Sequence, residues 1–410
     1  MPDTYDAVVV GGGPAGATAS ALLSKRGRRV LLLEKEKFPR YHIGESLIPG
    51  VMPIVQELGA GQALADLGAT PKRGVTLVWG ATPEPWTVRF DELYAGVIEP
   101  GEFDPPAYQV KRAEFDNMLL MHSRRLGTTV IEEAQARKAV FSNGRCTGLL
   151  YSASRDDELV EVRAPLVLDA SGQAKFMARN RDTVIWHEDL KNLAVWTYFQ
   201  GGGRLEGNDA GNILVEAVPP GWLWMIPFSD GTCSVGFVAP SAVFAASELS
   251  PEQFLHRQLE ETGFLKKLLQ DATQVAQVRT AKDWSYSSTE MSGPGFLQVG
   301  DAAAFVDPLF STGCMLAMKG GSLAAEAADR ILADPGSEEQ VRAVYEKEYH
   351  AVLDVVLAFV RIFYDQTQKA EEYFDQAQGL VDPDMFHKAR QDFIALISGL
   401  AKAVDGWQIG

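Results

Sequence analysis

The chain has 410 residues, enough for more than one domain and a large apolar core. Hydrophobic residues make up 46%, charged residues 22%, and the formal net charge is -16, the profile of a globular enzyme. That charge excludes non-specific attraction to nucleic acid or to anionic membranes, and the three scattered cysteines, Cys146, Cys233 and Cys314, exclude a disulfide framework or a zinc cluster.

In chain order, the apolar run Ala7–Val10 predicts a short strand ending in Gly11-Gly12-Gly13-Pro14-Ala15-Gly16. Helical character follows to about Ser24, and a second apolar run, Val30–Leu33, ends at Glu34. That is strand, tight turn, helix, strand: a βαβ unit. Two later stretches repeat the strand-then-glycine order, Leu166-Val167-Leu168-Asp169-Ala170-Ser171-Gly172 and Phe296-Leu297-Gln298-Val299-Gly300-Asp301-Ala302.

Between them, residues 186–282 are rich in β-formers, with turns at 201–203, 219–221 and 229–231, and read as a mostly antiparallel sheet. The segment 76–100, with two tryptophans and several prolines, is expected to add to that sheet. After Gly320 helical periodicity takes over, and the stripe Val352, Val356, Phe359 and Phe363 reads as core packing. The expected fold is α/β, a Rossmann-like dinucleotide-binding domain in three parts (1–75, 101–185 and 283–335). A sheet domain for the substrate is inserted at 76–100 and 186–282, and a helical region closes the chain at 336–410. No apolar run approaches the roughly 18 residues needed to span a bilayer. The start MPDTYDAVVVGGG lacks a basic stretch followed by an apolar run, so a cytoplasmic location without membrane or nucleic-acid partners is expected.

Gly11-x-Gly13-x-x-Gly16 has the context that a dinucleotide fingerprint requires: it follows a strand, opens a helix, and is answered by Glu34 after the next strand. Gly11 permits the tight turn, Gly13 lets the backbone approach a pyrophosphate, and Gly16 allows close helix-to-sheet packing. Ala15 lies in the same turn. The helix N-terminus presents free N–H groups to phosphate, and Glu34 is expected to accept from an adenosine ribose.

Gly300-Asp301 resembles the second motif of FAD-containing monooxygenase-type folds, where the aspartate binds the ribityl chain. Asp169-Ala170-Ser171-Gly172 resembles the third, and Arg112 in KRAEFD sits where that fold contacts its cofactor. The resemblance implies FAD rather than NAD, with Asp169, Gly172, Asp301 and Pro308 at the cofactor. Trp222-Leu223-Trp224-Met225-Ile226-Pro227 fits WxWxIP and resembles the flavin-dependent halogenases. On a strand, Trp222 and Trp224 point to one face and form a stiff apolar wall.

Further residues follow from that resemblance. Lys72 in Pro71-Lys72-Arg73-Gly74 takes the place of the lysine at the far end of a tunnel from the flavin, where an ammonium hydrogen-bonds hypohalous acid or forms a haloamine. Thr312 and Gly313, in Asp307-Pro308-Leu309-Phe310-Ser311-Thr312-Gly313, take the place of the halide-binding pair at a helix start. Tyr41-His42-Ile43-Gly44-Glu45-Ser46-Leu47 resembles the flavin-strap loop, with Arg40, Glu45 and Ser46 near the cofactor; related prenyl reductases share that loop. Tryptophan halogenases carry a glutamate where this chain has Phe310, which points away from free tryptophan and toward phenolic or pyrrolic rings, free or tethered to a carrier protein.

The resemblance implies FAD and chloride (or bromide) as cofactor and co-substrate, and a separate flavin reductase as partner. An FAD-dependent aromatic monooxygenase or a prenyl reductase of the same fold is the alternative.

Overall fold

A computed structural model describes residues 5–82, 84–93, 103–153, 158–282, 285–381 and 388–401. The first four residues, Pro83 and the whole 94–100 part of the expected sheet segment, and residues 382–387 and 402–410 of the expected helical region lie outside them.

A six-stranded sheet carries the dinucleotide-binding half, in the order Ser292–Gly293, Phe296–Gln298, Leu166–Asp169, Ala7–Val10, Val30–Leu33, Thr129–Ile131. All pairings are parallel except that of the first two strands. Ala7–Val10, Val30–Leu33 and Leu166–Asp169 are buried along their whole length. Layers cover both faces, so these strands read as unbroken apolar runs rather than as alternation. Helix Pro14–Lys25 packs between helices Gly313–Ala333 and Arg112–Arg125, and small residues make the approach close: a Cβ on Gly321 would lie 2.6 Å from the Ala15 carbonyl oxygen.

The second sheet has eight strands. Its path runs Thr273–Gln274, Asn192–Gln200, Thr232–Pro240, Gly221–Pro227, Ile213–Val218, Gly74–Val78, Trp86–Arg89, and Arg279–Lys282 also pairs with Asn192–Gln200. Only the Ile213–Val218 to Gly74–Val78 pairing is parallel. Residues 186–282 are not sheet throughout. Helices Ser241–Ser247, Pro251–Glu261 and Leu265–Leu268 interrupt them, the second opened by a capping box in which Ser250 and Gln253 exchange hydrogen bonds. They cover the face of the sheet that carries Leu223 and Met225. Trp222, Trp224 and Ile226 point the other way, toward the first sheet. The cavity described next lies on that inner side.

Helices Gly313–Ala333, Glu338–Phe363, Ala370–Gln378 and Ala389–Ser398 complete the fold. Phe359 and Phe363 are buried in the main core, joined to Trp79, Phe310, Tyr373 and Phe393. Among the described residues no helix is long and apolar enough to cross a membrane.

Candidate active site

A cavity of about 840 Å³ opens between the two sheets. Its lining includes Gly11, Gly13, Ala15, Glu34, Arg40, Glu45, Ser46, Arg112, Gly172, Trp222, Trp224, Asp301, Pro308 and Gly313. The turn at its floor is shaped by glycine. Gly11 has φ +101°, and a Cβ there would stand 2.3 Å from the Ala170 carbonyl oxygen; a Cβ on Gly16 would stand 2.0 Å from that of Gly11. Gly13 is different: its Cβ would meet only Arg40 Nη2, at 3.5 Å, so its openness faces the cavity rather than the protein. Gly13 caps helix Pro14–Lys25 with no side-chain hydrogen bond, and Pro14 has no N–H to satisfy. Glu34 accepts from the Gly12 N–H at 2.6 Å and the Glu36 N–H at 2.8 Å, which holds the carboxylate at the cavity wall.

A buried ion cluster holds the next part. Arg112 grips Asp116 through Nε (2.7 Å) and Nη2 (2.9 Å), and Arg40 adds a third bond at 2.8 Å. Burial alone would raise the Asp116 carboxyl, but the two guanidinium groups hold it below the usual range. Arg112 Nη1 also donates to the Ile43 carbonyl at 2.7 Å, which ties the 41–47 loop to helix Arg112–Arg125. Asp301 faces the cavity, and burial pushes its carboxyl up to about 6.

Asp169 does not reach the cavity. It is fully buried, and its two oxygens accept from the backbone N–H groups of Ser171 (3.1 Å) and Met177 (2.7 Å). It fixes the turn that presents Ser171 and Gly172 to the cavity, one layer behind the lining. Gly16 and Thr312 likewise stand behind the wall. Gly16 is a packing position, and Thr312 is 2% exposed beside the cavity-lining Ser311 and Gly313.

Trp222 and Trp224 both line the cavity, with ring centroids 6.1 Å apart and planes tilted by 53°. Each indole is anchored. Trp222 Nε1 donates to the Tyr364 hydroxyl at 3.1 Å, Trp224 Nε1 to Ser234 Oγ at 3.2 Å, and Tyr364 in turn donates to Asp307 at 3.1 Å. Nothing in the sequence marks Tyr364 for this role beyond its place just after the stripe that ends at Phe363.

Lys72 ends the strand Thr70–Lys72 and has no exposure to solvent. Its ammonium donates to Ser46 Oγ (2.8 Å) and to the Leu47 carbonyl (2.9 Å), and lies 5.5 Å from the Phe90 ring centroid. Burial lowers its pKa to about 7. Lys72 is not itself part of the cavity lining, but its partner Ser46 is.

Phe310 stacks on Phe359 with centroids 4.6 Å apart and planes 22° apart, and meets Phe363 edge-on at 4.9 Å. That position is packed core. Residues 6–104 and 99–408 match the family model described as tryptophan halogenase. The chain belongs to the flavin-dependent halogenases. A tryptophan 2-halogenase of Chondromyces crocatus is 35% identical over all of this chain and 78% of that one. A 1H-pyrrole-2-carbonyl-[peptidyl-carrier protein] brominase of Pseudoalteromonas luteoviolacea is 30% identical over 79% and 77%. The solved myxobacterial chondrochloren halogenase superposes with a TM-score of 0.83 at 33% identity, covering 97% of both chains.

FAD is therefore the cofactor of this halogenase and halide its co-substrate, and the cavity fits the flavin on three counts. The Gly13 cradle is open toward the cavity, the helix behind it offers uncapped N–H groups, and Asp301 presents a carboxyl.

Proposed function

We propose that this halogenase uses reduced FAD, dioxygen and chloride or bromide to halogenate an electron-rich aromatic ring, phenolic or pyrrolic, free or tethered to a carrier protein. A separate flavin reductase supplies the reduced FAD. The observation that carries the reading is Lys72: a wholly buried amine with a lowered pKa, one hydrogen bond from a cavity residue. A lysine retained in a fully buried place, where its charge is costly, is a mark of chemistry rather than of stability.

Reduced FAD, when bound, supplies two electrons toward the reduction of dioxygen that turns halide into hypohalous acid. Gly13, Arg112 and Asp301 would hold the cofactor. The backbone of Thr312 and Gly313, at the N-terminal end of helix Gly313–Ala333, would hold halide at the positive end of the helix dipole, the Thr312 side chain being buried. The Trp222 and Trp224 wall keeps the organic ring away from the flavin, so that the oxidant passes to Lys72. As a neutral amine Lys72 attacks the halogen of hypohalous acid, an N–halogen bond forms, and water leaves. As an ammonium it hydrogen-bonds the acid instead. A pKa near neutrality supports both routes.

Phe310, buried in an aromatic stack, supplies no carboxylate to orient an indole or take its proton. Phenols and pyrroles react without such a base, and a relative named as a pyrrolyl-carrier-protein brominase supports the reading.

The test is a reductase-coupled assay with a phenol, a carrier-bound pyrrole and free tryptophan, run with and without halide and read by the isotope pattern of the product. Halide-dependent product from the phenol or the pyrrole is expected. Hydroxylated product formed equally well without halide would replace this reading by the monooxygenase one, and turnover of tryptophan alone would overturn the substrate class.

A further inference from the structure

Glu45, at the cavity wall, ends a chain of hydrogen bonds that starts near the surface. Its Oε1 accepts from the Tyr198 hydroxyl at 2.8 Å, the Tyr198 and Tyr41 hydroxyls are 2.9 Å apart, and Trp196 Nε1 donates to the Tyr41 hydroxyl at 2.6 Å. Because Tyr198 gives its proton to Glu45 and Tyr41 receives one from Trp196, the proton between the tyrosines belongs to Tyr41. Every hydrogen in the chain then points inward. Exposure falls in the same direction: Tyr41 is 40% exposed, Tyr198 intermediate, Glu45 3%. Glu45 Oε2 is buried without a hydrogen-bond partner among the described residues, and the Glu45 side lines the cavity.

We propose that Tyr41, Tyr198 and Glu45 form a proton relay that carries one proton per turnover from solvent to the cavity. The chemistry needs that proton, on the function proposed above. Dioxygen takes four electrons, two from reduced FAD and two from the halide. Its O–O bond breaks, one oxygen leaves bonded to halogen in hypohalous acid and the other leaves as water. With both hydrogens of reduced FAD counted, one proton must still be taken up. In the relay, Tyr198 passes its proton to Glu45, Tyr41 passes its own to Tyr198, and solvent reprotonates Tyr41.

The surroundings suit the carrier. Burial pushes Glu45 up to about 7, against the lowering effect of the Tyr198 and Ser234 hydroxyls and of Arg112 and Lys111. Those two cations are largely engaged elsewhere, Arg112 by Asp116 and Lys111 by Asp230. Burial raises the Tyr41 hydroxyl above its ordinary pKa and so keeps it protonated at rest. The Trp196 indole and the Arg279 guanidinium, 4.0 Å from the Tyr41 ring centroid, oppose that, and Trp196 fixes the hydroxyl in place. A carboxyl that titrates near neutral pH both accepts and releases a proton readily.

The experiment is a pH jump from 8 to 6 on the full-length chain, with and without oxidised FAD, followed by the infrared band of the protonated carboxyl. Glu45→Gln identifies the band. Tyr41→Phe is expected to fill it at least tenfold more slowly to the same final amplitude, and imidazole buffer to restore the rate. Tyr198→Phe is expected to slow it as well and to shift its midpoint upward, because the carboxylate loses a donor. Filling at the wild-type rate in both variants overturns the relay. In the coupled assay, Tyr41→Phe should lower the product rate with an enlarged solvent deuterium effect. Halide-independent product from the wild type would defeat the halogenase reading while the infrared rates still decide the relay; normal filling with halide-dependent product would defeat the relay alone.

Discussion

Lys72 Nζ lies 2.8 Å from Ser46 Oγ, and that one bond joins a wholly buried amine to the wall of the flavin cavity. Ser46 sits between Glu45, which also lines the cavity, and Leu47, whose carbonyl takes a second hydrogen bond from Lys72. The 41–47 loop that borders the cavity thus also positions the amine.

Removing the amine should separate oxidant production from its use. Lys72→Ala is expected to lower halogenated product by at least about a hundredfold, the scale on which a positioned catalytic group acts. FAD binding and the hypohalous acid caught by an added scavenger should persist. Parallel measurement of product, scavenger halogenation and flavin affinity checks this; undiminished product would remove Lys72 from the chemistry.

The same burial makes stability depend on pH. Lys72 titrates at about 7 when folded and at the ordinary 10.5 when unfolded. Between those values the unfolded chain binds more protons, so the lysine's contribution improves as pH rises and is at its worst below about 7. Relative to Lys72→Met, the wild type should lose on the order of 1 kcal/mol per pH unit as pH falls from 10 to 7, and nothing further below. Denaturant midpoints of the two proteins across that range give the difference directly; a constant gap would mean that the amine is not desolvated.

Two glycines of one turn should fail differently. Gly11→Ala places a Cβ 2.3 Å from a backbone oxygen at φ +101°, so both folding and FAD binding should suffer. Gly13→Ala meets nothing closer than Arg40 Nη2 at 3.5 Å, so the melting temperature should stay within a few degrees while FAD affinity drops about tenfold or more. Flavin fluorescence titration with thermal unfolding distinguishes them. Unchanged affinity in Gly13→Ala would place the pyrophosphate elsewhere.

Restoring a carboxylate at position 310 should not produce a tryptophan enzyme. Phe310→Glu would bury a charge between Phe359 and Phe363 with no cation there to pair with it among the stacked rings. The expected cost is about 3 kcal/mol or more, seen as a lowered melting temperature without gain of tryptophan turnover. A stable variant that halogenates tryptophan would show that the aromatic stack opens.

Much of the cofactor half was legible because its determinants are local. Gly11, Gly13 and Gly16 act through a turn a few residues long, and Glu34 reaches back to the Gly12 N–H from the adjacent strand. The two-residue period of a strand was enough to put Trp222 and Trp224 on one face. The helices within 241–268 were missed although Ser250-Pro251-Glu252-Gln253 is a capping signal, because the flanking β-formers dominated that stretch.

What the sequence could not disclose depends on surfaces brought together from far apart in the chain. Asp169 is marked by its motif, but only folding shows its oxygens bonded to the turn behind the cavity lining. Tyr364 reads as a residue just past a helix stripe until folding sets it against Trp222, Asn192 and Asp307. Tyr41, Tyr198 and Glu45 become a chain only when the 41–47 loop lies across the strand Asn192–Gln200. The sequence by itself determined the turns and the strand faces, since each follows from backbone geometry over a few neighbouring residues, and its motifs carried the resemblance that implied the kind of cofactor. Only the tertiary structure decided which buried polar groups meet, since a hydrogen bond needs its partners within about 3 Å and that distance is set by the packing of whole layers.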